Sequence, residues 1–254
     1  MKYFQFIFSP TGGTEKAANI ITSKWSPSTM TLDLSDPACG FEKCDLGPDD
    51  LVLIAMPSYG GRVPGIAAKR LSKVHGNAAK CVLLCVYGNR AYEDALVEMA
   101  DIASACGFTV IAAISAIAEH SIMHQYASGR PDSEDARQLK AYADKIIQKI
   151  QSGQPNAPLE LPGKRPYKKA GGAGLTPKTS KQCTNCGLCA QQCPAQAIDF
   201  KNPKATDSKK CISCMRCVAK CPHTARKANS ALVAIASQAI KKACTVKKEC
   251  ELFI

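Results

Sequence analysis

Eight cysteines packed into 39 residues constrain this 254-residue chain more than any other feature. They form two copies of one spacing: Cys183, Cys186, Cys189 and Cys193 followed by Pro194, then Cys211, Cys214, Cys217 and Cys221 followed by Pro222. Two-residue gaps let consecutive turns of backbone aim three thiolates at one centre. The proline after each fourth cysteine breaks the chain away, so that thiol is free to swing toward the other half of the repeat. A doubled run of this kind points to a pair of [4Fe-4S] clusters. Zinc and disulfides are the competing readings. Zinc sites use paired Cys-x-x-Cys knuckles rather than a triple run closed by Cys-Pro, and disulfides are disfavoured where no secretory signal is seen.

Over residues 181 to about 226 the chain resembles the bacterial two-cluster ferredoxins. The resemblance implies crossed ligation, with Cys183, Cys186, Cys189 and Cys221 on one cluster and Cys211, Cys214, Cys217 and Cys193 on the other. Charge follows the same division. Residues 1–154 hold 15 Lys and Arg against 16 Asp and Glu, whereas residues 155–254 hold 18 against 5. Each oxidised cluster with its thiolates removes roughly two positive charges, and the second part stays basic. Such a field would steer an acidic redox partner protein into contact. Nucleic-acid binding is not expected, because no helix-turn-helix or aromatic stacking motif accompanies the lysines.

The first part alternates strand and helix. Strands are expected at residues 2–8, Thr29 to Leu34, Asp50 to Met56, Lys80 to Tyr87 and Phe108 to Ala118, and helices near Glu15 to Trp25, Pro64 to Val74, Tyr92 to Cys106 and Asp132 to Gln151. Apolar strands without alternation are buried on both faces, and strands separated by helices form a parallel sheet wound on both sides. The longest apolar stretches are too short to cross a bilayer, and the start, MKYFQFIFSP, reads as a strand rather than a secretory leader. A cytoplasmic protein without membrane contact is expected.

Ligands of such sheets bind beyond the carboxyl ends of the strands. Three strand-end segments agree in character: SPTGGT after the first strand, PSYGGRVP after the third and YGNRAYED after the fourth. The first opens a helix, whose free amides favour an anion. Its Ser9, Thr11, Gly12 and Thr14 match the phosphate loop of the flavodoxin family, which the N-terminal part therefore resembles, with Pro10 as a departure that removes one amide. The resemblance implies a five-stranded sheet of order 2-1-3-4-5. It also implies FMN held by Ser9, Thr11, Gly12, Gly13 and Thr14 at its phosphate, and flanked by Pro57, Ser58, Tyr59, Gly60 and Gly61 and by Tyr87, Gly88, Asn89 and Tyr92.

The expected organisation is thus an α/β flavodoxin-like domain (1–151), a proline- and glycine-rich linker (152–180) and a small α+β ferredoxin-like domain with a basic helical tail (181–254). The expected function is electron transfer between the clusters and FMN. The alternative is a flavin-dependent reductase of a small acceptor, fed by the clusters. Cys81, Cys85 and Cys106 read as small buried hydrophobes. His120 and Glu119, after the last strand, read as loop residues or as a proton donor beside the flavin, and Arg62 and Arg90 as rim residues.

Overall fold

The computed structural model describes residues 1–40, 44–153, 157–171 and 174–254. Pro155 and Gly172 of the linker lie outside the described residues. In chain order the elements are β1 (Tyr3–Ile7), α1 (Gly13–Trp25), β2 (Met30–Asp33), β3 (Leu51–Pro57), α2 (Gly65–Leu71), β4 (Lys80–Tyr87), α3 (Ala95–Ala105), β5 (Thr109–Ile117) and α4 (Ser133–Ser152). Then follow β6 (Lys178–Thr179), α5 (Leu188–Gln191), α6 (Arg216–Ala219), β7 (Arg226–Lys227), α7 (Ser230–Cys244) and β8 (Glu251–Phe253).

The main sheet runs β2-β1-β3-β4-β5-β8, with the first five strands parallel. This is the doubly wound order expected from the sequence, with one correction. The sheet has six strands, because β8 returns from the far end of the chain and pairs antiparallel with β5. Residues 251–253 are therefore strand, and the tail is a helix followed by a strand. Three residues are enough to cover the β5 edge that would otherwise present unpaired amides.

Burial on both faces explains the apolar strands. Phe4, Phe6, Val52, Ile54, Cys81 and Leu83 face the layer made by α2 and α3, while Ile7, Leu53, Val82, Leu84 and Ile114 face α1 and α4. Gln5 is the one polar side chain in the middle of β1, and it bonds Asn19, Thr31 and Thr22. Among the described residues no helix is long and apolar enough to cross a membrane.

The linker packs across the first domain. Leu159 and Leu161 lie on the α2/α3 core layer. The amides of Lys164 and Lys168 both donate to Asp94, and Arg165 and Tyr167 hold Asp101. The pair β6 and β7 joins the two ends of the cysteine-rich unit. Deeper contacts fix that unit to the sheet: Arg70, buried in α2, donates to Leu34 O at 2.6 Å and to Pro194 O at 2.7 Å, and Ile212 reaches the same core layer.

Candidate functional site

The duplication seen in the cysteine spacing is repeated in the backbone. Asn185 and Ser213 both have positive φ, as do Gly187 and Met215 at the starts of α5 and α6, and Gln196 and Thr224 after the Cys-Pro steps. The amide of Ala197 donates to Cys193 Sγ and that of Ala225 to Cys221 Sγ, each at 3.3 Å. Equal spacing has produced equal turns, which hold equivalent sulfurs in equivalent places.

Two cavities lie inside this unit. One is lined by Cys193, Cys211, Cys214 and Cys217, the other by Cys183, Cys186, Cys189 and Cys221. Each cavity takes three cysteines from one half of the repeat and the fourth from the other. Four thiols around each cavity, one in each set already accepting an amide hydrogen bond, are the donor set a [4Fe-4S] cluster needs.

The cavity containing Cys214 is the one that faces the sheet. Arg216, between Cys214 and Cys217, places its guanidinium 3.4 Å from Ser9 O and 3.9 Å from Asp33 Oδ2. Tyr59, from the loop after β3, has its phenol enclosed; burial and the neighbouring Cys214 together push its pKa well above the usual phenol value. At the other cavity Cys186 is exposed, and Phe200, 69 % exposed, stands beside Gly187. The unit therefore has an inner end against the strand termini and an outer end toward solvent.

The loop after β1 is open and donor-rich. Gly12 sits at φ 94°, where a left-handed turn favours glycine, and nothing crowds the space above it. Ser9 Oγ accepts from the Glu15 amide, whereas the amides of Thr11, Gly12, Gly13 and Thr14 have no protein acceptor among the described residues. The hydroxyls of Thr11 and Thr14 are likewise unpaired within them. Four amides and two hydroxyls converging at the start of a 13-residue helix suit a phosphate. This part fits the phosphate end of FMN.

The other two loops are framed by protein. Tyr59 and Arg62 exchange backbone hydrogen bonds across Gly60 (φ 62°) and Gly61 (φ 88°), the two-residue hairpin in which positive φ is required at both centres. A Cβ on Gly61 would lie 1.9 Å from the Glu93 carboxylate, and one on Gly60 3.1 Å from Gly171 O of the linker. Ser58 donates to Val86 O and, through its hydroxyl, to Tyr92 O, and Pro57 closes β3. Gly88 is packed against His120. The Asn89 amide nitrogen donates to Cys244 O at 2.7 Å and Val246 O at 2.9 Å, so this side chain anchors the tail.

Tyr87 and Tyr92 meet edge to face at 5.2 Å, and the Tyr92 hydroxyl donates to Glu251. They form the floor of a cavity of about 830 Å³ whose walls are the linker at Pro162 to Lys164 and the tail at Lys248 to Glu251. Sequence reasoning missed this cavity, because both of its walls come from segments distant in the chain from its floor. The remaining rim residues are engaged locally. Arg62 forms a two-pronged pair with Glu98 at 2.7 Å, and Arg90 pairs with Glu93. His120 Nδ1 accepts the amides of Ile122 and Met123, and burial holds its pKa below the usual value. Glu119 accepts from Gly129 N and pairs with His124.

Comparison with known proteins gives one family match: residues 182–226 match the family described as 4Fe-4S dicluster domain. This segment is thus a 4Fe-4S cluster-binding domain. No curated protein matches the chain. Among solved structures the chain is similar to a Streptococcus pneumonia TIGR4 flavodoxin, at 16 % identity over 59 % of this chain and 99 % of that one, with a TM-score of 0.42. It is also similar to rubredoxin oxygen:oxidoreductase of the anaerobe Desulfovibrio gigas, at 15 % identity over 59 % of this chain and 36 % of that one, with a TM-score of 0.44. The two-electron reduced flavodoxin of Megasphaera elsdenii is 19 % identical over 56 % and 98 % of the two chains, with a TM-score of 0.35. The strand order, and not these likenesses, makes the N-terminal unit flavodoxin-like.

Proposed function

We propose that the chain is an electron-transfer protein that passes single electrons between two [4Fe-4S] clusters and FMN. The observation that carries this reading is the orientation of the cysteine unit. Its inner cavity abuts the loop after β1 through Arg216, and its outer cavity faces solvent at Cys186. Bound clusters exchange one electron at a time and bound FMN holds one or two, so the pair converts between the two currencies. The chain's own contribution is positional. Arg70 and Arg216 hold the inner cavity against the sheet, and the loop after β1 offers neutral donors to a phosphate.

Anaerobic purification with added FMN, followed by iron, sulfide and flavin counts, tests the proposal. One tightly held flavin per chain is expected; full iron with no flavin would overturn it. The phosphate loop has its own test. Thr14→Val keeps the volume of a side chain that is only 5 % exposed while removing one hydroxyl. A hydrogen bond to a charged acceptor contributes about 1.5–3 kcal/mol, so FMN affinity should fall roughly 10- to 150-fold in a fluorescence titration.

An acidic one-electron carrier docking at the outer end completes the reading. Residues 178–227 hold ten Lys and Arg against two Asp, and the exposed Phe200, between Asp199 and Lys201, stands beside Gly187 of the outer cavity. Reduction by an acidic carrier should slow by about tenfold or more between low salt and 0.5 M salt, while reduction by a small neutral donor stays constant.

The cavity beside Tyr87 and Tyr92 favours one second reading, reduction of a small acceptor. Its carboxylates are already engaged, Glu93 by Arg90, Asp94 by two amides and Glu251 by Tyr92 and Ser115. Turnover of a neutral quinone by the loaded protein, lost in Tyr92→Ala, would select this reading over a pure carrier.

A further inference from the structure

Four buried side-chain polar atoms lack a hydrogen-bond partner among the described residues, and two of them are arginine Nε groups, on Arg216 and Arg226. Each arginine lines one of the cysteine cavities, Arg216 the inner and Arg226 the outer. The rest of each fork is committed. Arg226, 2 % exposed, gives one nitrogen to Thr206 Oγ1 at 2.9 Å and another to Pro203 O. Arg216 gives its other two nitrogens toward Ser9 O and Asp33. A buried, charged N–H without an acceptor is costly, and of the three nitrogens of each guanidinium Nε is the one with no partner in both cases.

We infer that Arg216 and Arg226 each present the spare Nε–H and its positive charge to the sulfur of the cluster in the cavity they line, raising that cluster's reduction potential. The inference rests on the two-cluster reading above. Reduction adds negative charge to a cluster, and a fixed cation with an N–H aimed at sulfur stabilises the reduced state more than the oxidised one. The two arginines are not equivalent. Arg226 is 2 % exposed, where charge acts at low dielectric. Arg216 has a side chain 14 % exposed and shares its charge with Asp33. Arg226 therefore moves its cluster's potential further than Arg216 moves its own.

The test is a redox titration of the full chain followed by electron paramagnetic resonance, on wild type, Arg216→Gln, Arg226→Gln and the two lysine variants, each with iron and sulfide counted. In each glutamine variant one potential should fall and the other hold, with the larger fall in Arg226→Gln. The lysine variants keep the charge without the planar fork and should recover part of each shift. Unchanged potentials in glutamine variants with full iron would overturn the inference. Where Arg226→Gln does not assemble, Arg226→Lys and Arg216→Gln decide on the same readout. A wild-type chain with well under about eight irons would instead fail the two-cluster reading, before any variant is compared.

Discussion

Replacing Cys193 and Cys214 together by alanine should remove one of the two proposed clusters, whereas replacing Cys193 and Cys186 together should remove both. Local ligation, with each cluster held by one contiguous run, gives the opposite result. The structure discriminates because Cys193 belongs by sequence to the first run and by position to the cavity of Cys211, Cys214 and Cys217. Iron and sulfide analysis of the two double variants reads the answer directly. About half of the wild-type iron should remain in the first and almost none in the second. The reciprocal pair, Cys221 with Cys186 against Cys221 with Cys214, should behave in the same way, since Cys221 lines the cavity of Cys183, Cys186 and Cys189.

Asp135→Ala should destabilise the fold by about 3–5 kcal/mol, the range for removing one partner of a buried ion pair. Asp135 is fully buried at the first turn of α4, where it completes the capping box with Asp132. It takes the Arg130 guanidinium on both oxygens, with Nε at 2.8 Å, and the same Arg130 donates to Lys248 O at 2.7 Å. One ion pair thus joins a helix start, the loop after β5 and the returning tail. Removing the carboxylate leaves Arg130 buried and uncompensated. Denaturant unfolding followed by circular dichroism measures the loss.

The same pair sets an acid limit. Burial alone would push the Asp135 carboxyl up, but the Arg130 fork and the Asp132 amide outweigh it, and its pKa lies below the usual value. A depressed folded pKa means that the contribution is fully present above the unfolded value of about 3.9 and is lost as pH falls through the folded one. The stability gap between wild type and Asp135→Ala should therefore be flat from neutral pH to about 5 and narrow at lower pH. A gap that narrowed above pH 6 would assign the effect to another group.

What the sequence made legible was what short-range chemistry controls. Five strands and four helices of the first domain follow from apolar runs such as Lys80–Tyr87 and from the helical period of segments such as Ser133–Ser152. The cysteine cavities follow from spacing. The illegible parts are contacts between residues far apart in the chain. Nothing local to Arg216 announces a contact with Ser9, 207 residues away, or in Arg70 a contact with Pro194, 124 residues away. A lysine in a basic tract and a lysine bonded to Asn89 O, as Lys248 is, look alike as letters. Asn89 reads as a residue flanking FMN because it follows β4. It serves the tail because the tail comes back, and the three-residue ELF strand is too short for any periodicity to reveal.

That return has a practical meaning for anyone dividing the protein in two. With β8 woven into the sheet beside β5 and the linker bonded to Asp94, the cysteine-rich unit is spliced into the first domain and moored on both sides, rather than hung from one. A fragment cut at residue 151 would forfeit an edge strand, leave Asn89 and Arg130 without their tail carbonyls and bare the flank of β5, inviting self-association. A separable fragment of the first domain calls for a different surgery: excising 178–227 and bridging the gap, so that α7 and β8 stay with the sheet they complete.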